Sequence, residues 1–265
     1  MKAFGEAMEL NIFQTPQALA RAAAHHFVQQ CERAVAQSNG FAVALSGGTT
    51  PKLLYELLAD PQEPYRDRIA WKKCFFFFTD ERHVPPDHPE SNYRMAWEAL
   101  FSRVPKAQVI RMSGEKPAAE AAQEYEDSLW ELYGPEMPDL DLVLLGLGED
   151  GHTASLFPGS RALQETERLV VAPWVEKLNA YRITMTLPVL NNGHSVIFLV
   201  TGASKAEIVG EIIGADKKTN FYPAQAICPT NGEVSWFVDE AAARLCSTSN
   251  SSNTDAGSDL LNKNP

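Results

Sequence analysis

Positive charge is what this 265-residue chain has least of: 23 Lys and Arg stand against 34 Asp and Glu, a formal net charge of -11. Nucleic acids and anionic membranes are bound through clustered cations, so neither is an expected partner. Cysteine is also scarce. Its four occurrences, Cys31, Cys74, Cys228 and Cys246, show no CxxC spacing and no metal-type pairing with histidine, which argues against a disulfide framework and for the reduced thiols of a cytoplasmic protein. The six histidines form no HExxH or HxH pattern, so no metal is expected. No apolar run approaches the ~20 residues of a membrane span. The N-terminal stretch carries Glu6, Glu9 and a helical pattern instead of a basic start followed by an apolar run, so no secretory signal is visible.

What is present suffices for a substantial core. Hydrophobic residues make up 45% of the chain, and no repeat, linker or break in composition divides it, so one domain is expected over residues 1–246. Residues 247–265 are rich in Ser, Asn, Asp and Thr with little to bury, and read as a disordered tail. Before it, β-prone runs alternate with helical periodicity. Strands are expected at Phe41–Leu45, Cys74–Thr79, Asp141–Leu145, Leu169–Ala172, Arg182–Thr186, Val196–Val200 and Val234–Val238. Helices are expected at Ala18–Val35, Pro51–Leu58, Tyr93–Phe101, Ala118–Tyr133 and Lys205–Ile213. This succession predicts an α/β fold with a mostly parallel sheet and helices on both faces, whose site lies at the carboxyl ends of the strands.

The most informative segment follows the strand Asp141–Leu145. It runs Gly146-Leu147-Gly148-Glu149-Asp150-Gly151-His152-Thr153-Ala154-Ser155-Leu156-Phe157-Pro158-Gly159. Glycines here allow close approach of backbone and ligand, and His152 is the nearby side chain whose ordinary pKa suits proton transfer near neutrality. The GxGxxG pattern within it is a poor dinucleotide site, because Glu149 and Asp150 would repel a pyrophosphate. Read alone, the segment could also be a structural loop with His152 capping a carbonyl.

Three further strand ends carry polar residues. Ser46-Gly47-Gly48-Thr49-Thr50-Pro51 opens a helix and offers amides and hydroxyls to an anion, or is simply a capped turn. It lacks the GxxxxGK[ST] pattern of a triphosphate site. Thr79-Asp80-Glu81-Arg82-His83-Val84 reads equally as a site, with Arg82 as a forked anion donor, or as a solvated cluster. Lys205, at a strand-to-helix turn, and Arg182, entering a strand, are candidate phosphate cations or ordinary surface charges.

Together these segments, with Pro89-Glu90-Ser91-Asn92-Tyr93 and Thr201-Gly202-Ala203-Ser204-Lys205, resemble the 6-phosphogluconolactonases of the pentose phosphate pathway over about residues 10–245. The resemblance implies a single-domain, Rossmann-like fold of the glucosamine-6-phosphate deaminase type, no cofactor, and a sugar-phosphate substrate held by a monomer or small homo-oligomer. It implies that Ser46, Gly47, Gly48, Thr49, Arg182 and Lys205 hold the 6-phosphate. His152 would activate water and Asp150 would hold the imidazole or contact sugar hydroxyls. Arg82 would stabilise the carbonyl oxygen, with Asp80 fixing Arg82, or these two would exchange roles with phosphate binding. The sister deaminases share the Asp-Gly-His core but place a catalytic Glu five residues after the His, where this chain has Phe157. That replacement and Arg82, where deaminases usually carry an aromatic residue, favour the lactonase. A sugar-phosphate sensor on the same fold would need a DNA-reading element, and neither a helix-turn-helix segment nor a basic face is evident.

Overall fold

The computed structural model describes residues 8–213 and 221–246. Its elements run β1 (Met8–Phe13), α1 (Pro16–Ser38), β2 (Phe41–Leu45), α2 (Thr49–Ala59), β3 (Cys74–Phe78), β4 (Asp80–Arg82), α3 (Asn92–Ala99), β5 (Gln108–Val109), α4 (Ala118–Tyr133) and β6 (Leu142–Leu145). They continue with β7 (Val170–Val171), β8 (Trp174–Val175), β9 (Ala180–Met185), α5 (Leu187–Leu190), β10 (Ser195–Val200), α6 (Ala206–Ile213), β11 (Glu233–Asp239) and α7 (Glu240–Ala243). The tail expected from residue 247 lies outside the described residues.

Seven strands pair in parallel in the order β1-β11-β10-β6-β2-β3-β5. From β2 the chain builds outward through β3 to β5, then returns to place β6 on the other side of β2 and builds outward again. The reversal lies between β2 and β6, which is where an open α/β sheet opens a crevice at its strand ends. The alternation of side chains along each strand fills both faces. Phe76 and Phe78 pack with Leu19, Phe27, Leu54 and Tyr55 of α1 and α2. Phe77 points the other way, with Tyr125 and Leu129 of α4. The same split places Leu142 and Leu144 on the first face and Val143 and Leu145 on the second. Such strands read as unbroken apolar runs because both faces are covered.

Two features depart from the expectation. The N-terminal segment read as helical contributes β1, whose Met8–Phe13 pairs with β11 at the sheet edge and is only half-buried, so it lacks the continuous apolar signal of the inner strands. Asp80–Arg82, read as the polar end of the preceding strand, is a strand of a second, antiparallel sheet ordered β4-β9-β7, with β8 paired to β9. Arg182 is therefore not on an edge strand, since β9 has neighbours β4 and β7.

Glu81 ties this small sheet to α3. It is 2% exposed and accepts hydrogen bonds from the amides of Arg82 (2.8 Å), Asn92 (2.7 Å) and Tyr93 (2.8 Å) and from Ser91 Oγ (3.0 Å). Ser91 Oγ in turn accepts from Arg94 N as the helix N-cap. Burial pushes the Glu81 carboxyl above its ordinary value, and the three amides pull it back. Glu81→Ala leaves these amides without their acceptor and is expected to destabilise the fold by about 3 kcal/mol, with Glu81→Gln costing less because one acceptor oxygen remains. Urea unfolding midpoints measure it; a loss below about 1 kcal/mol for the alanine variant would show that water replaces the carboxylate.

Candidate active site

A cavity of about 410 Å³ opens at the strand ends, lined by residues that follow β2, β3, β6 and β10 and by the β8–β9 hairpin. Ser46, Gly47 and Gly48 line it from β2, Asp80 and Arg82 from β4, Gly148, His152 and Phe157 from the loop after β6, Arg182 from β9, and Lys205 from the turn after β10. Of the candidate site residues, Thr49 and Asp150 do not line it; Asp150 is bonded to His152 and Lys177, which do. Thr49 is exposed on the first turn of α2. Thr50 is also not a free donor: its Oγ1 is bonded to Thr201 Oγ1 at 2.7 Å, which joins the β2 and β10 loops. The buried Ser46 hydroxyl has no hydrogen-bond partner among the described residues, and a buried polar atom in that state at a cavity wall is an unfilled contact for a ligand.

The loop after β6 folds back on itself. Gly148 N donates to His152 O (2.8 Å), Gly151 N to Gly148 O (3.0 Å) and Thr153 Oγ1 to Gly146 O (2.9 Å). This brings His152 Nδ1 to 2.5 Å from Asp150 Oδ1. Burial raises the Asp150 carboxyl, but hydrogen bonds from Lys177 and His152 outweigh it and hold the group at about 2. Asp150 is thus ionised near neutrality and acts as acceptor, which assigns the proton of that bond to Nδ1 and leaves Nε2 with a lone pair. Burial pushes the His152 imidazole below its ordinary value despite the pull of Asp150, so it is neutral near pH 7. Phe157 stacks on it with ring centroids 4.2 Å apart, inclined by 30°. A neutral, oriented imidazole beside an ionised carboxylate is the arrangement of a general base.

Asp80 does not fix Arg82, as the sequence had suggested. Its Oδ2 accepts from Ser155 Oγ at 2.6 Å, and its Oδ1 from Asn92 Nδ2 at 3.2 Å, while Arg82 Nη1 donates to the Glu90 carbonyl. Ser155 of the loop after β6 and Asn92 at the start of α3 take up its two oxygens. Arg82 and Arg182 occupy directly paired positions of β4 and β9. Burial lowers the Arg182 guanidinium from its ordinary value and the like charge of Arg82 adds to this, so an anion between the two would relieve a real repulsion.

Lys177 escaped the sequence reading. It projects from the β8–β9 hairpin, donates to Asp150 Oδ2 and lies over the Phe157 ring, 4.5 Å from its centroid. A lysine in a polar turn carries no signal of its own; only the hairpin places it. Among the described residues, no cluster of three or more His, Cys, Asp or Glu is arranged to hold a metal ion, and no helix is long and apolar enough to cross a membrane.

The family model described as glucosamine-6-phosphate isomerases/6-phosphogluconolactonase matches residues 14–236. The chain belongs to this family. Within it, a 6-phosphogluconolactonase of Synechocystis is 42% identical over 216 residues, covering 79% of this chain and 86% of the relative. The Homo sapiens 6-phosphogluconolactonase is 39% identical over 242 residues, 89% and 93% of the two chains. Among solved structures, the 6-phosphogluconolactonase from Trypanosoma brucei superposes with a TM-score of 0.77 at 32% identity, over 89% of this chain and 97% of that one. A monomeric glucosamine-6-phosphate deaminase superposes at 0.73 with 20% identity, which shows the shared fold alone.

Gly148 is the tightest point of this family's loop here. A Cβ on it would stand 1.9 Å from His152 Nδ1 and 2.8 Å from Asp150 Oδ1. Gly148→Ala is expected to break the His152–Asp150 bond while leaving the remote core folded, visible as loss of the Nδ1-bonded proton resonance with thermal unfolding shifted by only a few degrees. Retention of that resonance would show that the loop can give way.

Proposed function

We propose that this chain hydrolyses 6-phospho-D-glucono-1,5-lactone to 6-phospho-D-gluconate in the oxidative pentose phosphate pathway. The observation that carries the reading is the pairing of His152 with Asp150 beside Phe157. One base is oriented and kept neutral, and the neighbouring position that would supply a second acid is an apolar ring. Hydrolysis of an activated ester needs one base and charge stabilisation, whereas ring opening and deamination of an amino sugar call for further proton transfers. The names of the relatives point to the same substrate.

In this reading the 6-phosphate sits against the Ser46 hydroxyl and the Gly47 and Gly48 loop, with Arg182 and Lys205 as its counter-charges, and so fixes C1 near His152. Nε2 takes a proton from water as the oxygen attacks C1. The carbonyl electrons move onto oxygen, where Arg82 meets the developing charge. Collapse of the tetrahedral intermediate breaks the bond from C1 to the ring oxygen, and the imidazolium returns its proton to that oxygen. Asp80, held by Ser155 and Asn92, is placed to accept from sugar hydroxyls. The same reading has the domain at residues 1–246 act in the cytoplasm as a monomer or small homo-oligomer.

Freshly generated lactone assayed beside glucosamine 6-phosphate tests the reaction; ammonia release from the second without hydrolysis of the first would reverse it. His152→Ala is expected to lower turnover by ~10²–10⁴ with binding of 6-phosphogluconate retained. Lys205→Ala is expected chiefly to raise KM, and a wild type that hydrolyses a non-phosphorylated lactone equally well would remove the anchoring role. Because burial lowers the His152 pKa, kcat/KM is expected to stay level from neutrality down to the ordinary histidine value and to fall only at lower pH. A fall already under way at pH 7 would show His152 protonating more easily than its environment dictates.

A further inference from the structure

Lys177 closes a ring of four side chains around the base. His152 is bonded to Asp150 through Nδ1 at 2.5 Å and stacked on Phe157 at 4.2 Å. Phe157 carries the Lys177 ammonium on its other contact, 4.5 Å from the ring centroid. Lys177 then returns to Asp150 through Oδ2. Each oxygen of the carboxylate is thus given to a different partner: Oδ1 to the imidazole, Oδ2 to the ammonium.

A carboxylate shared in this way differs from one that faces imidazole alone. An uncompensated carboxylate both orients a histidine and draws it toward the imidazolium form, which has no lone pair to offer water. A cation on the second oxygen offsets that pull and leaves the orientation intact. We propose that Lys177 is a positioning residue for the hydrolysis described above, holding Asp150 from the β8–β9 hairpin so that His152 stays a neutral Nδ1–H tautomer with Nε2 open to water. This rests on His152 being the base of that reaction.

The other charged groups around His152 are accounted for. Asp80 of β4 favours the imidazolium, as Asp150 does, while burial and Lys177 oppose it. Arg82, Arg182 and Lys205 line the same cavity. Tyr222, whose ring stands over Gly151, has its phenol bonded to Glu211. Lys177 is the cation in direct contact with the His152–Asp150 pair. Phe157 contributes as well: an aromatic face attracts an ammonium, and an apolar ring at this position leaves Asp150 as the anion that Lys177 meets.

The test uses Lys177→Met, which keeps most of the apolar stem over Phe157 and removes the charge, and Lys177→Arg, which keeps it. The His152 titration midpoint is followed by nitrogen-correlated NMR in the full chain without substrate, and kcat/KM against pH is measured with the lactone. For Lys177→Met the midpoint is expected to rise by about one pH unit, and the acid limb of kcat/KM to move with it, a loss of about tenfold at pH below both midpoints. Lys177→Arg is expected to restore both. An unmoved midpoint with a raised KM at every pH would overturn the proposal and make Lys177 a substrate-binding cation. The NMR arm needs no turnover. A moved midpoint in a protein that fails to hydrolyse the lactone would therefore retain the Lys177 effect and reject the reaction, while normal hydrolysis with an unmoved midpoint would do the reverse.

Discussion

Burying a carboxylate costs several kcal/mol unless its oxygens are supplied with donors, and this chain buries two in succession. Asp80 and Glu81, 8% and 2% exposed, follow directly on the apolar strand β3. Alternation along β4 sends them to opposite sides. Glu81 collects the amides at the start of α3, and Asp80 collects Ser155 from the loop after β6 and Asn92 from α3. The rim of the site depends on this pair of acids. Through them the small antiparallel sheet, α3 and the loop that carries His152 are held in one arrangement, and Asn92 lies so close to Gly47 that a Cβ there would stand 1.9 Å from its Oδ1. The Gly47 loop is therefore fixed against the same support as the His152 loop.

The parallel sheet explains why that support is needed. At the reversal between β2 and β6 the two loops touch only at their start, where a Cβ on Gly146 would stand 4.0 Å from the Gly47 carbonyl, before the chain runs on to opposite sides. A crevice of this kind is open by construction. Rigidity must come from side-chain bonds across it, and the structure supplies them at Thr50–Thr201 (2.7 Å) and Ser155–Asp80 (2.6 Å), while Tyr55 braces the β2 side by donating to the Ser46 carbonyl (2.8 Å). The base is then held within a loop that bonds to itself.

How much of this was legible in the sequence follows from how local each signal is. Helix α4 was read at its observed ends, Ala118–Tyr133, because Ala118, Ala121, Ala122, Tyr125 and Leu129 mark one buried face by spacing alone. The His152 loop and the Ser46–Gly48 turn were equally plain, since a strand, glycines and a polar run fall within about ten residues. The second sheet was not. The runs Leu169–Ala172 and Arg182–Thr186 did mark β7 and β9, but β4 and β8 are two or three residues long and exist only through pairing with β9, which lies about a hundred residues from β4. Asp80, Arg82 and Arg182 were still legible as candidates, but the partners that the pairing brings to them were not. Lys177 is one consequence, and the assignment of Asp80 to Arg82 is another: two residues apart on a strand they share a face, and nothing in the local sequence shows that Ser155 and Asn92 arrive from elsewhere.

Charge closes the account. The chain as a whole carries -11, a poor field for attracting a phosphorylated substrate from a distance. Inside the cavity the balance is reversed, with Arg82, Lys177, Arg182 and Lys205 against Asp80 among the lining residues. Those cations are not equivalent. Lys177 is spent on Asp150 and Arg82 is bonded to a backbone carbonyl, while Arg182 and Lys205 have no carboxylate partner among the described residues. The paired cation, Lys177, contacts Asp150 and Phe157 beside His152, while Arg182 lies on β9 opposite Arg82 and Lys205 follows β10. In the proposed reaction, an anion entering this cavity meets cations not already paired with a carboxylate, and the carbon to be attacked lies beside an imidazole kept neutral by its surroundings. On the proposed reading, pairing Lys177 with Asp150 lets a protein of this acidity offer other cations to a phosphate while His152 stays neutral.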